Sequence, residues 1–218
     1  MEKGKRLLLW LVLIVLVPLW WHHQLNSEAL LNMSILSTGW IVYQLVLRKS
    51  IKIIILIILV ILSSFFLLNN AGLISGGKID LSRSYWVDNE NQAELTKFQQ
   101  MSLFLPFRSR NIVWGNWWQI ADAILRGLSG LGGEKLWPVI GPALWFLAII
   151  SLYYRTGWEV GIAIFAIVTA GWLSRNPNTG LIGIYLLPAM VVMSLPAIKK
   201  INLKILAVLS LITLPFIF

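Results

Sequence analysis

IIILIILVILSSFFLL, residues 53–68, carries no charge, no proline and no glycine. An apolar run of this kind is either the hidden core of a soluble domain or a segment that crosses a membrane. The rest of the chain decides between them. Six further runs resemble it: Leu7–Trp21, Ala29–Leu47, Leu136–Tyr154, Trp158–Leu173, Gly180–Ile198 and Leu203–Phe218. The chain of 218 residues is 58% hydrophobic and 12% charged, with a mean hydropathy of +0.78. Soluble domains are about 45–50% apolar and about 25% charged. A water-soluble globule of this size cannot hide so much apolar surface, so lipid is the expected solvent. A crossing helix needs ~20 apolar residues. The first, third, fifth and seventh runs reach that length with their weakly polar flanks.

The expected fold is therefore all-α and polytopic, because backbone groups in lipid must be bonded internally. Seven transmembrane helices are predicted. Residues 1–69 hold three, residues 70–135 form an intervening polar segment, and residues 136–218 hold four. Lys3, Lys5 and Arg6 before the first run suggest a secretory signal. Trp20, Trp21, His22 and His23 occupy the place of a cleavage site, which favours an uncleaved signal-anchor.

Charge orients the expected bundle. The formal charge is +9, from 18 Lys and Arg against 9 Asp and Glu. With the N-terminus cytoplasmic, that side receives Lys3, Lys5, Arg6, Arg48, Lys49, Lys52, Arg155, Lys199, Lys200 and Lys204. The opposite short turns receive Arg175 alone. This is the positive-inside pattern, and it explains the basic charge through topology and anionic head groups rather than nucleic acid. Residues 70–135 then face away from the cytoplasm.

That segment opens with the turn-forming NNAGLISGGK. Asn91 precedes Glu94 by three, which suits a helix start. Leu95, Phe98, Ser102 and Leu105 would share one face, with Pro106 ending the run. In a second stretch, Gly115, Gln119, Asp122 and Arg126 form a polar stripe, and Trp114, Trp117, Trp118, Ala121, Ile124 and Leu125 an apolar face. The expectation is a helix lying at the outer leaflet, with indoles in the head-group boundary or packed on the protein's own loops.

Absences narrow the chemistry. No cysteine occurs, which excludes disulfides, thiolate metal sites and cysteine nucleophiles. No ionisable residue lies centrally in any apolar run. Such residues are costly in lipid and are retained mainly for function, so the pattern argues against a self-contained pump or ion-coupled transporter. Adjacent His22 and His23 point apart on a helix, and no metal site or cofactor is expected. Gly-Leu-Ser-Gly at 127–130 and NSEALLNMSILSTGW at 26–40 resemble stretches of rhomboid-type serine proteases, but no His follows position 23 to serve as general base. Asn32-Met-Ser34 fits a glycosylation sequon yet falls inside a crossing.

RNPNTGLIGIYLLPAMVVMSLPAI, residues 175–198, resembles the late helix of GT-C-type glycosyltransferases through Tyr185, Leu186, Leu187, Pro188 and Ala189. Those are polytopic enzymes that use polyprenyl-phosphate sugar donors at the outer face. Ile184 stands where that family often has Arg, and the first outward loop, HHQLNSE, is short. The resemblance implies a membrane module handling a lipid-linked sugar or similar amphiphile. It also implies a carboxylate to take the acceptor's proton and a cation to hold the leaving phosphate. Glu28, Asp80, Asp88 and Glu90 are the candidate bases. Arg83, Arg108, Arg110 and Arg175 are the candidate phosphate holders, with Tyr185 beside the substrate. Whether the chain is an enzyme stays open at this point. The alternative is a non-enzymatic subunit of a larger membrane complex, docking other membrane subunits through the Trp-rich segment. The expected partners are membrane lipid, a polyprenyl-phosphate-linked sugar or those subunits, and no nucleic acid.

Overall fold

A computed structural model describes residues 2–22, 26–46, 51–79, 89–111, 113, 125, 136–173 and 178–216. The described residues are mostly helical. In chain order they form α1 (Glu2–Val15), α2 (Leu19–His22), α3 (Ser27–Leu45), α4 (Ile51–Asn70), β1 (Ile74–Ser75), β2 (Lys78–Ile79), α5 (Asn89–Met101) and α6 (Phe107–Asn111). Then follow α7 (Trp137–Ile140), α8 (Pro142–Tyr153), α9 (Trp158–Trp172), α10 (Thr179–Lys200), α11 (Leu203–Thr213) and a closing 3₁₀ turn, Leu214–Phe216. The two strands pair as a small antiparallel hairpin, Ile74 opposite Ile79, turning through Gly76 and Gly77. Both glycines have positive φ, as the tight twisted hairpin turn demands.

Each of the seven apolar runs is helical, but two are broken. Pro18 interrupts the first between α1 and α2, since proline lacks the N–H a helix interior needs. Indoles bond carbonyls at the end of α1: Trp21 Nε1 donates to Val15 O at 3.1 Å, and Trp20 Nε1 donates at 3.0 Å to Ile14 O, which also accepts from Val17 N. Gly141 interrupts the fourth run, between α7 and α8, with φ +88°. A Cβ there would lie 3.1 Å from both Pro18 Cδ and Thr213 Cγ2, so both breaks and the end of α11 meet at one point.

Two helices, α4 and α10, are long and apolar enough to cross a membrane. Helix α3 is nearly as long, with 19 residues, but Asn32, Ser34, Ser37, Thr38 and Gln44 lower its hydropathy. Helices α8 and α9 and the stretch Lys204–Thr213 are apolar and shorter. At ~1.5 Å per residue, α10 with its 22 residues is about 33 Å long, close to the ~30 Å thickness of a bilayer's hydrocarbon.

Helix α10 is the axis of the fold. It packs on α3, α8 and α9, and more lightly on α1, α2, α4 and α7. Its central window is 78% buried, whereas that of α4 is 22% buried. On α4, Leu56, Leu59, Ser63 and Leu67 recur at steps of three and four and face inward, while Ile53, Ile54, Ile57, Ile58, Ile61 and Phe65 face out. Exposed apolar side chains continue around the perimeter, including Leu7 and Leu11 on α1, Ile35 on α3, Ile149 on α8, Ile162 on α9 and Val208 and Leu211 on α11. Close helix contacts rest on small residues. A Cβ on Gly171 of α9 would overlap Ile182 of α10, and one on Gly39 of α3 would overlap the tip of Leu59 on α4.

Hydroxyls within the bundle turn back on the chain. Ser34 Oγ donates to Leu30 O, Ser63 Oγ to Leu59 O, Thr169 Oγ1 to Phe165 O, Ser210 Oγ to Leu206 O and Thr213 Oγ1 to Leu209 O. Ser151 Oγ instead crosses from α8 to Met193 O on α10, at 2.6 Å.

The ends of the bundle differ in chemistry. At one, Arg6 of α1 meets the C-terminus of α10, and Lys200 Nζ lies 4.4 Å from the centroid of the Tyr154 ring. At the other, the start of α3, the end of α4 and the start of α10 bring asparagines together.

The polar segment departs from the periodicity reading. Helix α5 starts at Asn89, ahead of the expected Asn91, and ends at Met101, short of Pro106. Ser102 is buried, whereas Phe98 is exposed and Leu105 half-buried, so the expected single face dissolves at its C-terminal end. Trp114, Trp117 and Trp118 lie outside the described residues.

Candidate functional site

Two helices begin at the asparagine-rich end, each capped by an asparagine. Asn26 precedes α3, and its Oδ1 accepts from Glu28 N at 3.1 Å. Asn178 precedes α10, and its Oδ1 accepts from Leu181 N at 3.2 Å. Short amide side chains satisfy the orphan N–H groups of a first turn, which is why both runs open on this residue type. The partial positive charge of a helix N-terminus suits a carboxylate in the first turn, and Glu28 is there on α3.

Helix α4 arrives from the opposite direction and stops at Asn69-Asn70. Its final carbonyls are closed by backbone alone: Gly72 N donates to Asn69 O and Leu73 N to Leu68 O, both at 3.0 Å or less. Gly72 takes φ +74° and Leu73 is buried, which is the Schellman closure. The amides of Asn69 and Asn70 are therefore not consumed as caps. Asn70 Nδ2 donates to the hydroxyl of Tyr185 on α10. Asn32 Nδ2, one helical turn below Glu28, donates to the same oxygen at 3.4 Å. Tyr185 is fully buried. Two amides occupy the lone pairs of its oxygen, which leaves its own O–H as a donor.

Above this knot opens a cleft of about 390 Å³, lined by Asn26, Glu28, Ala29, Asn69, Asn70, Asn178, Gly180, Leu181 and Ile184. A second cavity of about 190 Å³ shares Asn70, Asn178 and Leu181 with it and adds Leu67, Ala71, Gly171 and Ile182. The first is walled mainly by amides and one carboxylate. The second sets Leu67, Ala71, Leu181 and Ile182 beside the two asparagines, and its exposed wall is more polar than apolar. Primary amides offer both donors and acceptors in a plane, and a carboxylate offers acceptors. Together these fit hydroxyl and amide groups.

The sequence-derived candidates distribute unevenly. Glu28 lines the cleft and Tyr185 lies beneath it, so residues far apart in the chain come to one place. Arg108 and Arg110 lie on α6 and are not among the lining residues. Glu90 lies in the backbone of α5. Asp80, Arg83, Asp88 and Arg175 lie outside the described residues. Among the described residues, no group of three His, Asp or Glu could hold a metal ion. Sequence reasoning missed Asn26, Asn69, Asn70 and Asn178, and read Asn32 only as a sequon. The available signal was positional: four of these five amides sit at the edges of apolar runs.

No protein-family model matches the chain, and neither a curated protein nor a solved structure matches it at a significant level.

Proposed function

We propose that this chain is an integral membrane protein of seven crossings whose asparagine-lined cleft receives the polar head of an amphiphile at the outer leaflet. The favoured amphiphile is a lipid-linked sugar, and the chain is then a reduced or accessory relative of GT-C-type glycosyltransferases. The observation that carries the reading is the pair of adjoining cavities. An amide- and carboxylate-lined cleft adjoins a smaller cavity at Asn70, Asn178 and Leu181, where the side chains of Leu67, Ala71 and Ile182 stand beside the shared amides. Both cavities present mostly polar surface, which suits the hydroxyl-bearing head of such an amphiphile, and its hydrocarbon part would lie in the surrounding lipid.

The membrane placement has separate support. The exposed isoleucine face of α4 and the exposed apolar side chains of the other helices would stand in lipid rather than in water. In this reading α8, α9 and α11, which are shorter, also cross. The basic end of the bundle suits the cytoplasmic side, with the N-terminus there, so the amide end and residues 70–135 face outward.

Binding is better supported than transfer. Sugar transfer from a phosphate needs a base and a cation near the leaving group. Glu28 supplies the first, and among the described residues no Lys or Arg lines the cleft. The test is native mass spectrometry of the full chain in mild detergent, with a polyprenyl-phosphate-linked sugar added. Losing one buried amide bond costs ~1–1.5 kcal/mol, so Asn70→Leu should weaken retention about tenfold. Equal retention by Asn70→Leu, by Glu28→Gln and by the unaltered chain would remove the cleft from the reading.

A further inference from the structure

Helix α5 is polar along most of its length, and its character changes at its end. Met101, Leu103, Phe104 and Phe107 are 66%, 72%, 82% and 69% exposed, and all lie at the elbow between α5 and α6. Phe104 is the most exposed large apolar residue among those described. Part of the elbow's backbone is bonded internally. Ser102 N donates to Phe98 O, Leu105 N to Ser102 O and Arg110 N to Pro106 O, while Ser102 Oγ donates to Gln99 O. Pro106 has no N–H to satisfy. Each group bonded in this way lowers the cost of approaching hydrocarbon, and a shallow, interfacial position leaves the other backbone groups within reach of water and head groups. Two arginines follow at once: Arg108 is exposed, and the guanidinium of Arg110 lies 5.8 Å from the centroid of the Phe107 ring. Apolar tips backed by guanidinium groups match a boundary of acyl chains beneath anionic phosphates.

We propose that the Met101–Phe107 elbow is a membrane anchor. It inserts its apolar side chains into the leaflet beside the bundle, and Arg108 and Arg110 pair with anionic lipid phosphates. The inference rests on the bundle itself being embedded in lipid, and the test carries a control for that premise. The chain has no cysteine, so single cysteines report cleanly. A fluorophore is attached at Phe104→Cys, at Leu103→Cys, at Lys97→Cys on exposed α5 and at Ile57→Cys on the outer face of α4. Each labelled chain is placed in nanodiscs containing brominated phosphatidylcholine, with or without about a third phosphatidylglycerol, an anionic fraction chosen to create a surface potential.

The expected result is bromolipid quenching at 104 and 103 at least roughly half as strong as at 57, with little at 97, since interfacial insertion is shallow. Quenching at 104 deepens with phosphatidylglycerol, and R108Q/R110Q abolishes that increment. Quenching at 57 with iodide-accessible, unquenched labels at 103 and 104 would overturn the anchor while leaving the membrane reading intact. Labels at 103 and 104 shielded from both iodide and bromolipid would overturn it too, placing the elbow against protein. Quenching indifferent to phosphatidylglycerol would overturn the anionic pairing. Absence of quenching at 57 would strike the bundle's placement instead.

Discussion

Arg6 Nη1 lies within hydrogen-bond distance of three carbonyls, Ile198 O at 3.0 Å, Lys199 O at 3.0 Å and Ile201 O at 2.9 Å, which its two N–H groups share. These are the carbonyls that a helix C-terminus leaves without partners, and a cation there also complements the negative end of the helix. The contact ties the start of the chain to its longest helix. Hydrogen bonds to charged groups contribute ~1.5–3 kcal/mol, and the partly solvated setting places Arg6→Gln at the lower end. Thermal unfolding in detergent should show that loss, and an unchanged midpoint would mean the carbonyls find water instead. Asn70 is the counterpart at the far end of α10. Its bond to Tyr185 spans 115 positions in the chain, which is why no local pattern announces it. The sequence singles out Tyr185 by its Tyr-Leu-Leu-Pro-Ala context and Glu28 by its place in a short loop, and neither pattern says that the two lie near each other. Their convergence depends on how α3 and α10 pack, and a linear reading does not contain that.

Apolar runs are legible because hydropathy accumulates locally, and each of the seven runs did become helix. Their interruptions follow equally local chemistry at Pro18 and at the Gly141-Pro142 pair, although both runs read as continuous by hydropathy alone. Helix α5 shows the limit in the other direction: a period of three to four placed Ser102 on an apolar stripe, but the helix stops before reaching it. Its burial then comes from the turn that follows. Contacts between elements lead to a ranking of glycine substitutions. Gly39→Ala meets only the mobile end of Leu59, which can rotate away. Gly171→Ala meets Ile182 near its branch point, with Leu67 Cδ2 3.2 Å away on another helix. Overpacking costs ~1–3 kcal/mol, so Gly171→Ala should lower the unfolding midpoint clearly more than Gly39→Ala. The reverse order would mean that α4 and α9 shift more freely than their packing implies.

At the scale of the molecule, one end is rich in guanidinium and ammonium groups and the other in amides. If charge fixes the orientation as proposed, a cysteine at Asn69 should react with an impermeant maleimide in intact cells. One at Lys200 should react only after permeabilisation. The opposite result would invert the bundle and put the cleft in the cytoplasm. Ser34, Ser63, Thr169, Ser210 and Thr213 spend their hydroxyls on their own helices, and Ser151 spends its hydroxyl on a neighbour. While bonded in this way these hydroxyls do not donate to one another, so these six form no hydroxyl-to-hydroxyl chain through the bundle. If the bundle is embedded in lipid as proposed, it is expected to conduct no protons. Liposomes loaded with it should hold an imposed pH difference as long as empty ones do, and a faster decay would reveal a conducting path through the bundle.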